Sequence, residues 1–472
     1  MAAAASMGLA LALDDAARFA AATLHRAPGA VPRSDGIRGA SIDSRAIAPG
    51  QLFVPLAGTH LDGHRFVAQA FTRGAAAALC ERAHYPEFAG CEPGPLLVVD
   101  DVTIGLQAIA RGWRARWTGD LIAVTGSAGK TTTKNLVAAV LGTRGPTLRT
   151  SGNLNNHWGV PLTLMELGSA HRAAVVEMGM NHEGEIAVLA ALAAPTAAVI
   201  TNVGSAHLEH FGTIEAIARE KASLAHALPH SGVVFAGADS PALLDALAGA
   251  PCRIVTYGFD SIADVWPRVY ESLGPAGSRF EVEGFPPVRL PLVGRHQVMN
   301  ALAALAVARE FRCDPADAVA ALERVSPDSG RMELRTVRGA MLLVDCYNAN
   351  PESTRAALET LAAWPDATRR IAVLGDMLEL GPAARELHHA AGTAVRHAEL
   401  WSVGVFAADY AAGAMETPKA GVTARTFDTK LELARDLFGQ LAPGVVVLLK
   451  GSRGAALEDV LSELERLERG EG

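Results

Sequence analysis

Val124-Thr125-Gly126-Ser127-Ala128-Gly129-Lys130-Thr131-Thr132 joins an apolar run, Leu121 to Val124, to a stretch with helical spacing from Lys130 to Leu141. A buried strand that turns through glycine into a helix aims backbone N–H groups and the positive end of the helix dipole at one point. A polyphosphate is held at such a point. Lys130 is placed to reach the outer phosphates, and the Thr131 hydroxyl to hold a magnesium ion. The full phosphate-loop pattern carries a glycine where this chain has Val124, so the match is the shorter Gly-x-x-Gly-Lys-Thr. Chance also produces that spacing, and the flanking strand and helix are what give it weight. The candidate nucleotide contacts are Gly126, Ser127, Ala128, Gly129, Lys130, Thr131 and Thr132.

Outward from this stretch the chain divides. At about 150 residues per domain, 472 residues make roughly three domains. Between Ile42 and Asp100, strands are expected at Gln51 to Leu56, Ala75 to Cys80 and Leu96 to Val99, with a short helix from Phe66 to Arg73. A helix from Thr103 to Trp117 leads into apolar runs at Leu121 to Val124, Ala173 to Met178, Ala197 to Val203, Gly232 to Phe235 and Arg253 to Tyr257. Helical stretches separate these runs, the signature of a mostly parallel sheet covered on both faces. Ser278 to Leu292 reads as a β-hairpin appended to that sheet, and Val298 to Phe311 as a helix. The turn-rich Ser326 to Gly330 is a linker. Beyond it, strands at Met341 to Asp345, Ile371 to Leu374, Trp401 to Phe406 and Val445 to Leu449 alternate with helices. The expected fold is therefore α/β in three domains: a small mixed α/β domain over residues 1–100, a central P-loop ATPase-like parallel sheet over 101–327, and a Rossmann-like domain over 328–472.

Composition narrows the function classes. Half the residues are hydrophobic, yet no stretch has the length of a membrane span. Ala2 to Leu13 is short, lacks a basic flank and runs into Asp14 and Asp15, so neither a signal peptide nor membrane insertion is expected. Met7 is an alternative start. The 5 cysteines form no C-x-x-C pair and no disulfide framework, which fits a reducing cytoplasm. A net charge of -8 without a basic run argues against nucleic acid as a partner.

Several strand ends deliver polar residues, where ligands bind in parallel sheets. Glu177 closes Ala173-Ala-Val-Val-Glu; it reads either as an ordinary strand-terminal carboxylate or as a magnesium ligand. His207 follows the next strand in Thr201-Asn-Val-Gly-Ser-Ala-His, and a lone histidine is more often core or surface than ligand. Lys221, by itself, reads as a solvated face of the helix Ile214 to Leu224. Asn153, Asn155 and Asn156 belong to a loop whose amides either make turns or bind a polar substrate. Asp345, Asn348 and Asn350 close one strand of the third domain, and Lys450 and Arg453 close another.

Taken together these segments resemble the Mur ligases, the ATP-dependent amide-forming enzymes of peptidoglycan precursor synthesis. The likeness is carried by Thr125-Gly-Ser-Ala-Gly-Lys-Thr, Gly152-Asn-Leu-Asn-Asn-x-x-Gly-Val-Pro, Glu177-Met-Gly-Met-Asn-His-x-Gly-Glu-Ile and Ala206-His-Leu-Glu. It continues through Gly294-Arg-His-x-x-x-Asn-Ala, Ser329-Gly-Arg-Met-Glu, Asp345-x-Tyr-Asn-Ala-Asn-Pro, Gly375-Asp-Met-x-Glu-Leu-Gly and Lys450-Gly-Ser-Arg. Each is weak alone; in register along nearly the whole chain after Ile42 they are specific. Ile42-Asp-Ser44-Arg45 and Leu56-Ala-Gly-Thr-His-Leu-Asp62-Gly-His64-x-Phe are similar to the uridine-nucleotide-binding domain of the family member that adds a dipeptide. The segment ahead of Ile37 matches nothing in the family.

The resemblance implies a function. It makes the chain a ligase that phosphorylates the carboxylate of UDP-N-acetylmuramoyl-tripeptide with ATP and then lets the amine of D-alanyl-D-alanine displace phosphate from the acyl phosphate. By the same likeness Lys130 and Thr131 hold the phosphates and one Mg2+ with Glu177. His207 and Lys221, the latter carrying a CO2-derived carbamate, hold a second Mg2+. An unmodified ammonium offers no lone pair to a cation, whereas a carbamate is a hard oxygen ligand. Asn300 is placed on the adenine side, with Gln297 standing where the family carries asparagine. Arg331 and Asp345 reach ATP on domain closure. Ser44, Arg45, Asp62, His64, Asn153, Asn155, Asn156, Asn348, Asn350, Lys450 and Arg453 are implied as substrate contacts, and a monomer is expected. Other Mur ligases and folylpolyglutamate synthases are the nearest rivals. A P-loop nucleotide switch is the rival from another class.

Overall fold

Runs of small and β-branched residues buried on both sides form the middle strands of the two large sheets, and the described residues build four sheets in all. The computed structural model describes residues 10–26, 36–58, 61–416 and 422–471; Met7, and Thr59 and His60 of the first-domain motif, lie outside them. The central sheet is wholly parallel. From edge to edge its strands are Arg253–Tyr257, Val233–Gly237, Ala197–Ile200, Asp120–Thr125, Ala173–Glu177 and Thr147–Arg149. In its middle Val124 pairs with Glu177 and Thr125 with Ile200, so three strand ends reach the same height beside the phosphate loop.

The expected strands and helices are present, with corrections at their ends. The strand expected at Gln51 to Leu56 contracts to Leu52–Phe53, since Pro55 has no N–H for a ladder. Helix Arg295–Glu310 starts ahead of Val298, after Gly294 at φ +105°. The expected hairpin is not part of the central sheet. Ser278–Val282 pairs with Val288–Leu290 on one side and with Pro267–Ser272 on the other, as a separate antiparallel three-stranded sheet. Pro267–Ser272 carries little apolar alternation because all but its first residue face solvent. Phe280, Val282, Val288 and Leu290 pack this sheet into the core formed by the helices Lys130–Gly142 and Arg295–Glu310.

The first domain contains strands Thr23–His25, Leu96–Val99, Ala77–Glu81, Leu52–Phe53 and Ala40–Ser41, in that spatial order, the first antiparallel. The described residues 10–26, ahead of Ile37, therefore belong to this fold. Helix Leu13–Phe19 lies against Val102–Arg114, where the Phe19 ring occupies the space a side chain at Gly112 would need. Helix Val102–Arg114 joins the domains: its Leu106, Ile109 and Trp113 share one core with both Leu79 of the first sheet and Ala123 of the central one. Arg114, buried beside them, spends its guanidinium on the carbonyls of Ala193, Ala194 and Trp117.

The third domain's sheet runs Glu333–Val337, Ala340–Asp345, Val445–Lys450, Arg369–Leu374, Glu399–Val403 and Thr423–Phe427, parallel except for the first strand. Register places Asp345 beside Lys450 at the carboxyl ends. Glu333–Val337 and Thr423–Phe427, both at sheet edges and largely exposed, were not among the expected strands because neither carries an apolar run.

Candidate functional site

Gly126 and Gly129 shape the phosphate loop. Gly126 sits at φ +151° with the Thr201 hydroxyl where a Cβ would go, 1.8 Å from the ideal position. Gly129, at φ +79°, precedes helix Lys130–Gly142, whose first turn has no side-chain cap and opens toward a cavity. The loop is braced by the next strand end: the Ser127 and Ala128 N–H groups donate to the Asn202 carbonyl (3.0 Å) and side chain (2.9 Å), and the Thr201 hydroxyl donates to the Ala128 carbonyl (2.6 Å). Lys130 Nζ donates to the Gly126 carbonyl at 2.8 Å, and burial holds its pKa below the usual lysine range.

The cavity, about 1060 Å3, lies between the carboxyl ends of the central and third sheets. It brings together residues that are far apart in sequence: Ser127 to Thr132, Asn153, Asn155, Asn156, Glu177, His207, Asn300, Arg331, Asp345, Asn348, Asn350 and Lys450 all line it. Gly126, Lys221 and Arg453 do not line it, and neither do Ser44, Arg45, Asp62 and His64 of the first domain.

Glu177 accepts from Asn155 Nδ2 (2.9 Å) through one oxygen; the other is enclosed without a hydrogen bond, with Lys134 Nζ 3.7 Å away. A buried carboxylate oxygen left in that state is costly unless a cation meets it. His207 adopts φ +66°, and its Nδ1 lies 2.8 Å from Glu379 Oε2 of the third domain, off the line of a hydrogen bond. The ring holds the Glu379 carboxyl below the usual range.

Lys221 is not the solvated lysine that its residue type suggests. It is 1% exposed, its amine packed 3.6 Å from the sulfur of Met180, a cavity-lining residue. Burial, then the nearby charge of Lys130, push its pKa well below the ordinary value. Its neighbour Glu220 turns away to accept from the N–H groups of Gly184 and Ile186 at the start of helix Glu185–Ala193.

The third domain presents its polar groups in fixed positions. Lys450, 2% exposed, donates to Asp345 Oδ2 at 2.7 Å and to the Asn348 carbonyl at 3.1 Å, while Asp345 Oδ1 accepts from the Met332 N–H. Asn350 caps helix Pro351–Ala362 and donates to the Ser127 carbonyl of the phosphate loop at 3.3 Å. Asn348 is exposed and accepts from the Ala349 N–H. Arg331 stacks on the Tyr347 ring at 4.0 Å; Arg453 lies farther out on the same ring, at 5.5 Å. Asn300 accepts from Thr133 and donates to Gln297 (3.0 Å), so Gln297 acts here by holding Asn300.

Sequence reasoning gave no role to Lys134, Glu352, Glu379 and His296, although His296 and Glu379 stand in the Gly294-Arg-His and Gly375-Asp-Met-x-Glu motifs. Lys134 lies one helical turn beyond Lys130 and bonds the Thr150 carbonyl at 2.8 Å; that spacing was its only signal. His296 lines the cavity with its Nδ1 enclosed and unpartnered, and burial lowers its pKa to about 4. Glu352 and Glu379 are distant in sequence from the loops they meet; Glu379 had its motif as a local signal, and nothing local reveals Glu352.

In the first domain Ser44 donates to Gln69 (2.7 Å), and Arg45 pairs with Asp43 on the surface. Asp62, His64 and His84 stand close enough for a metal site. Hydrogen bonding argues against one: His64 Nε2 accepts the Glu81 N–H (3.0 Å), so the proton is on Nδ1, facing Asp62 at 2.8 Å. A metal at Nδ1 would need an N–H on Nε2, pointed at another donor.

Comparisons with known proteins cover nearly the whole chain. Models of the Mur ligase family match residues 36–114 (catalytic domain), 124–308 (middle domain) and 330–453 (glutamate ligase domain). The UDP-N-acetylmuramoyl-tripeptide--D-alanyl-D-alanine ligase of Bacillus subtilis (strain 168) is 35% identical over 438 residues, 91% of this chain and 93% of its own. The structure of MurF from Acinetobacter baumannii superposes with a TM-score of 0.85 at 30% identity, covering 97% of this chain and 99% of that one. MurF ligase from Thermotoga maritima, solved in complex with ADP, gives 0.80 at 27% identity over 92% and 99%. With such likeness along nearly its whole length, this chain belongs to the Mur ligase family.

Proposed function

We propose that the chain joins D-alanyl-D-alanine to the terminal carboxylate of UDP-N-acetylmuramoyl-tripeptide, converting ATP to ADP and phosphate and giving UDP-N-acetylmuramoyl-pentapeptide for peptidoglycan synthesis in the cytoplasm. The observation that carries this reading is the cavity in which the phosphate loop faces Asp345, Asn348 and Lys450 of the third domain, in a chain related over 91% of its length to a ligase of that name. Among the described residues no helix is long and apolar enough to cross a membrane.

The carboxylate takes the γ-phosphoryl group, ADP leaves, the dipeptide amine adds to the acyl carbon, and the tetrahedral adduct expels phosphate as the nitrogen loses a proton. Charge gathers on the transferred phosphoryl oxygens and then on the acyl oxygen. Lys130 and the open N–H groups of helix Lys130–Gly142 are the fixed donors for the first. The Thr131 hydroxyl and the enclosed oxygen of Glu177 are oxygen donors that suit one Mg2+, and the His207 ring would go with Lys221 to a second; when bound, the metal would supply further stabilisation of that charge. Lys221 fits carbamylation because burial favours the neutral amine that reacts with CO2; Met180 would have to give way for the carbamate to meet a second ion. Asp345, Arg331 and Lys450 wall off the cavity from the third-domain side and exclude water.

The test is phosphate release with each component omitted in turn. Release that requires both UDP-tripeptide and D-alanyl-D-alanine, with pentapeptide as product, supports the reading. Equal release with single amino acids, with folate and glutamate, or with neither acceptor points to the rival ligases or to a nucleotide switch. Comparing tripeptides ending in meso-diaminopimelate and lysine identifies the third residue.

A further inference from the structure

Glu352 lies in the first turn of helix Pro351–Ala362 in the third domain, yet its carboxylate is spent on the central domain. Its Oε1 accepts from both the backbone N–H and the hydroxyl of Ser205, each at 2.9 Å. Its Oε2 is enclosed without a partner. The carboxylate lies directly on the chain: a Cβ at Gly204 would come 2.4 Å from its Cδ. Gly204 in turn exchanges hydrogen bonds with the Ser127 side chain, its N–H donating at 2.9 Å and its carbonyl accepting at 3.2 Å. The segment that runs from strand Ala197–Ile200 to His207 is thus held between the phosphate loop on one side and a carboxylate from another domain on the other. No residue of the central domain takes the place of Glu352 on Ser205 in the described contacts.

We infer that Glu352 is a positioning residue for His207. Docking of the third domain brings its carboxylate onto Ser205, fixes the turn before His207, and so sets the imidazole at the cavity only when the domains are engaged. A two-donor grip by a carboxylate is stronger than one between neutral groups, and its enclosed second oxygen makes the docked state dependent on what fills the cavity. This inference rests on the ligase reading for its kinetic part only.

The experiment uses the full chain as wild type, Glu352→Ala, Glu352→Gln, Ser205→Ala and the double variant Ser205→Ala/Glu352→Ala. Hydrogen exchange without substrates is followed over residues 201–207, with strand Ala197–Ile200 as the internal standard of folding. Glu352→Ala is expected to speed exchange over 201–207 and leave the strand protected. In the ligase assay it is expected to lower kcat about tenfold or more, with KM for ATP nearly unchanged, since misplacing a group at the reacting centre acts on turnover. Glu352→Gln keeps an oxygen for both Ser205 donors and is expected to restore most of kcat. Ser205→Ala lowers kcat less, keeping its N–H, and costs nothing further in the Glu352→Ala background. Unchanged exchange together with unchanged kcat in Glu352→Ala overturns the inference, as does a Glu352→Gln chain no better than Glu352→Ala, or Ser205 and Glu352 effects that simply multiply. If Glu352→Ala loses strand protection, Ser205→Ala and Glu352→Gln read the same contact. A wild-type chain without ligation defeats the ligase reading and leaves the exchange result to decide on Glu352.

Discussion

Lys130 and Lys221 are lysines near one cavity, the first half-buried on its wall and the second sealed behind it, and chemistry separates them. Lys130, on the Gly126 carbonyl, needs only a small swing to meet a phosphate. Lys130→Ala is expected to leave the fold intact by circular dichroism and to reduce phosphate release by about 10²-fold or more, the usual loss for one charge-stabilising group. Lys221 has no such partner. Lys221→Ala is expected to lose activity, and formate or acetate to restore part of it by supplying the missing oxygens, read in the same assay; full activity of the alanine chain would remove the carbamate from the proposal. His296 carries a pH signature. Its pKa, lowered to about 4 from 6.5 by burial, means that between those values the unfolded chain binds a proton that the folded chain refuses. Stability therefore falls as pH drops from 6.5 toward 4, by on the order of 2 kcal/mol at pH 5, and is unaffected by this group above pH 7. Urea midpoints at pH 7 and pH 5 should differ less for His296→Gln than for wild type.

The element that decides the site is the strand, loop and helix over residues 120–142. Its geometry depends on Gly126, where an alanine would collide with Thr201 and sit at an unfavourable φ. Gly126→Ala is expected to destabilise the chain by about 2–4 kcal/mol. The same substitution should weaken ADP binding about tenfold or more by titration calorimetry, because Thr201 also braces Ala128. Gly142 in the same helix is the control. Nothing lies within 4 Å of its ideal Cβ, so Gly142→Ala should stabilise by about 0.5–1 kcal/mol and leave ADP binding alone. Measured together by thermal melting, the pair separates close packing at the loop from helix propensity.

Across the whole molecule, the third domain meets the central domain through polar contacts around the cavity and through Val293, which packs into the third domain's core. The polar contacts include Asn135 with Asp328 at 2.7 Å, Asn350 with Ser127 at 3.3 Å, Glu352 with Ser205 at 2.9 Å and His207 beside Glu379 at 2.8 Å. Such an interface is exchangeable, unlike the apolar core that helix Val102–Arg114 shares between the first and central domains. The third domain is therefore expected to move as a unit about Ser326 to Gly330, while the first two domains stay together. An ATP analogue with UDP-tripeptide should compact the chain in small-angle scattering; an unchanged scattering profile would refute the movement.

Local patterning was enough for the alternation of strand and helix, for the glycine turn into Lys130, and for Glu177 at a strand end. Each of these depends on residues adjacent in sequence, where periodicity and turn chemistry act directly. Edge strands such as Pro267–Ser272 and Thr423–Phe427 lacked that signal because exposed strands need no apolar face. The partners that set electrostatics and position were beyond its reach. Whether Lys221 is solvated or sealed behind Met180, whether His64 is a free ligand or has both ring nitrogens spent, and that Glu352 reaches Ser205 are matters of which surfaces meet. Burial and long-range hydrogen bonding belong to the packed chain, so only the tertiary structure decided them.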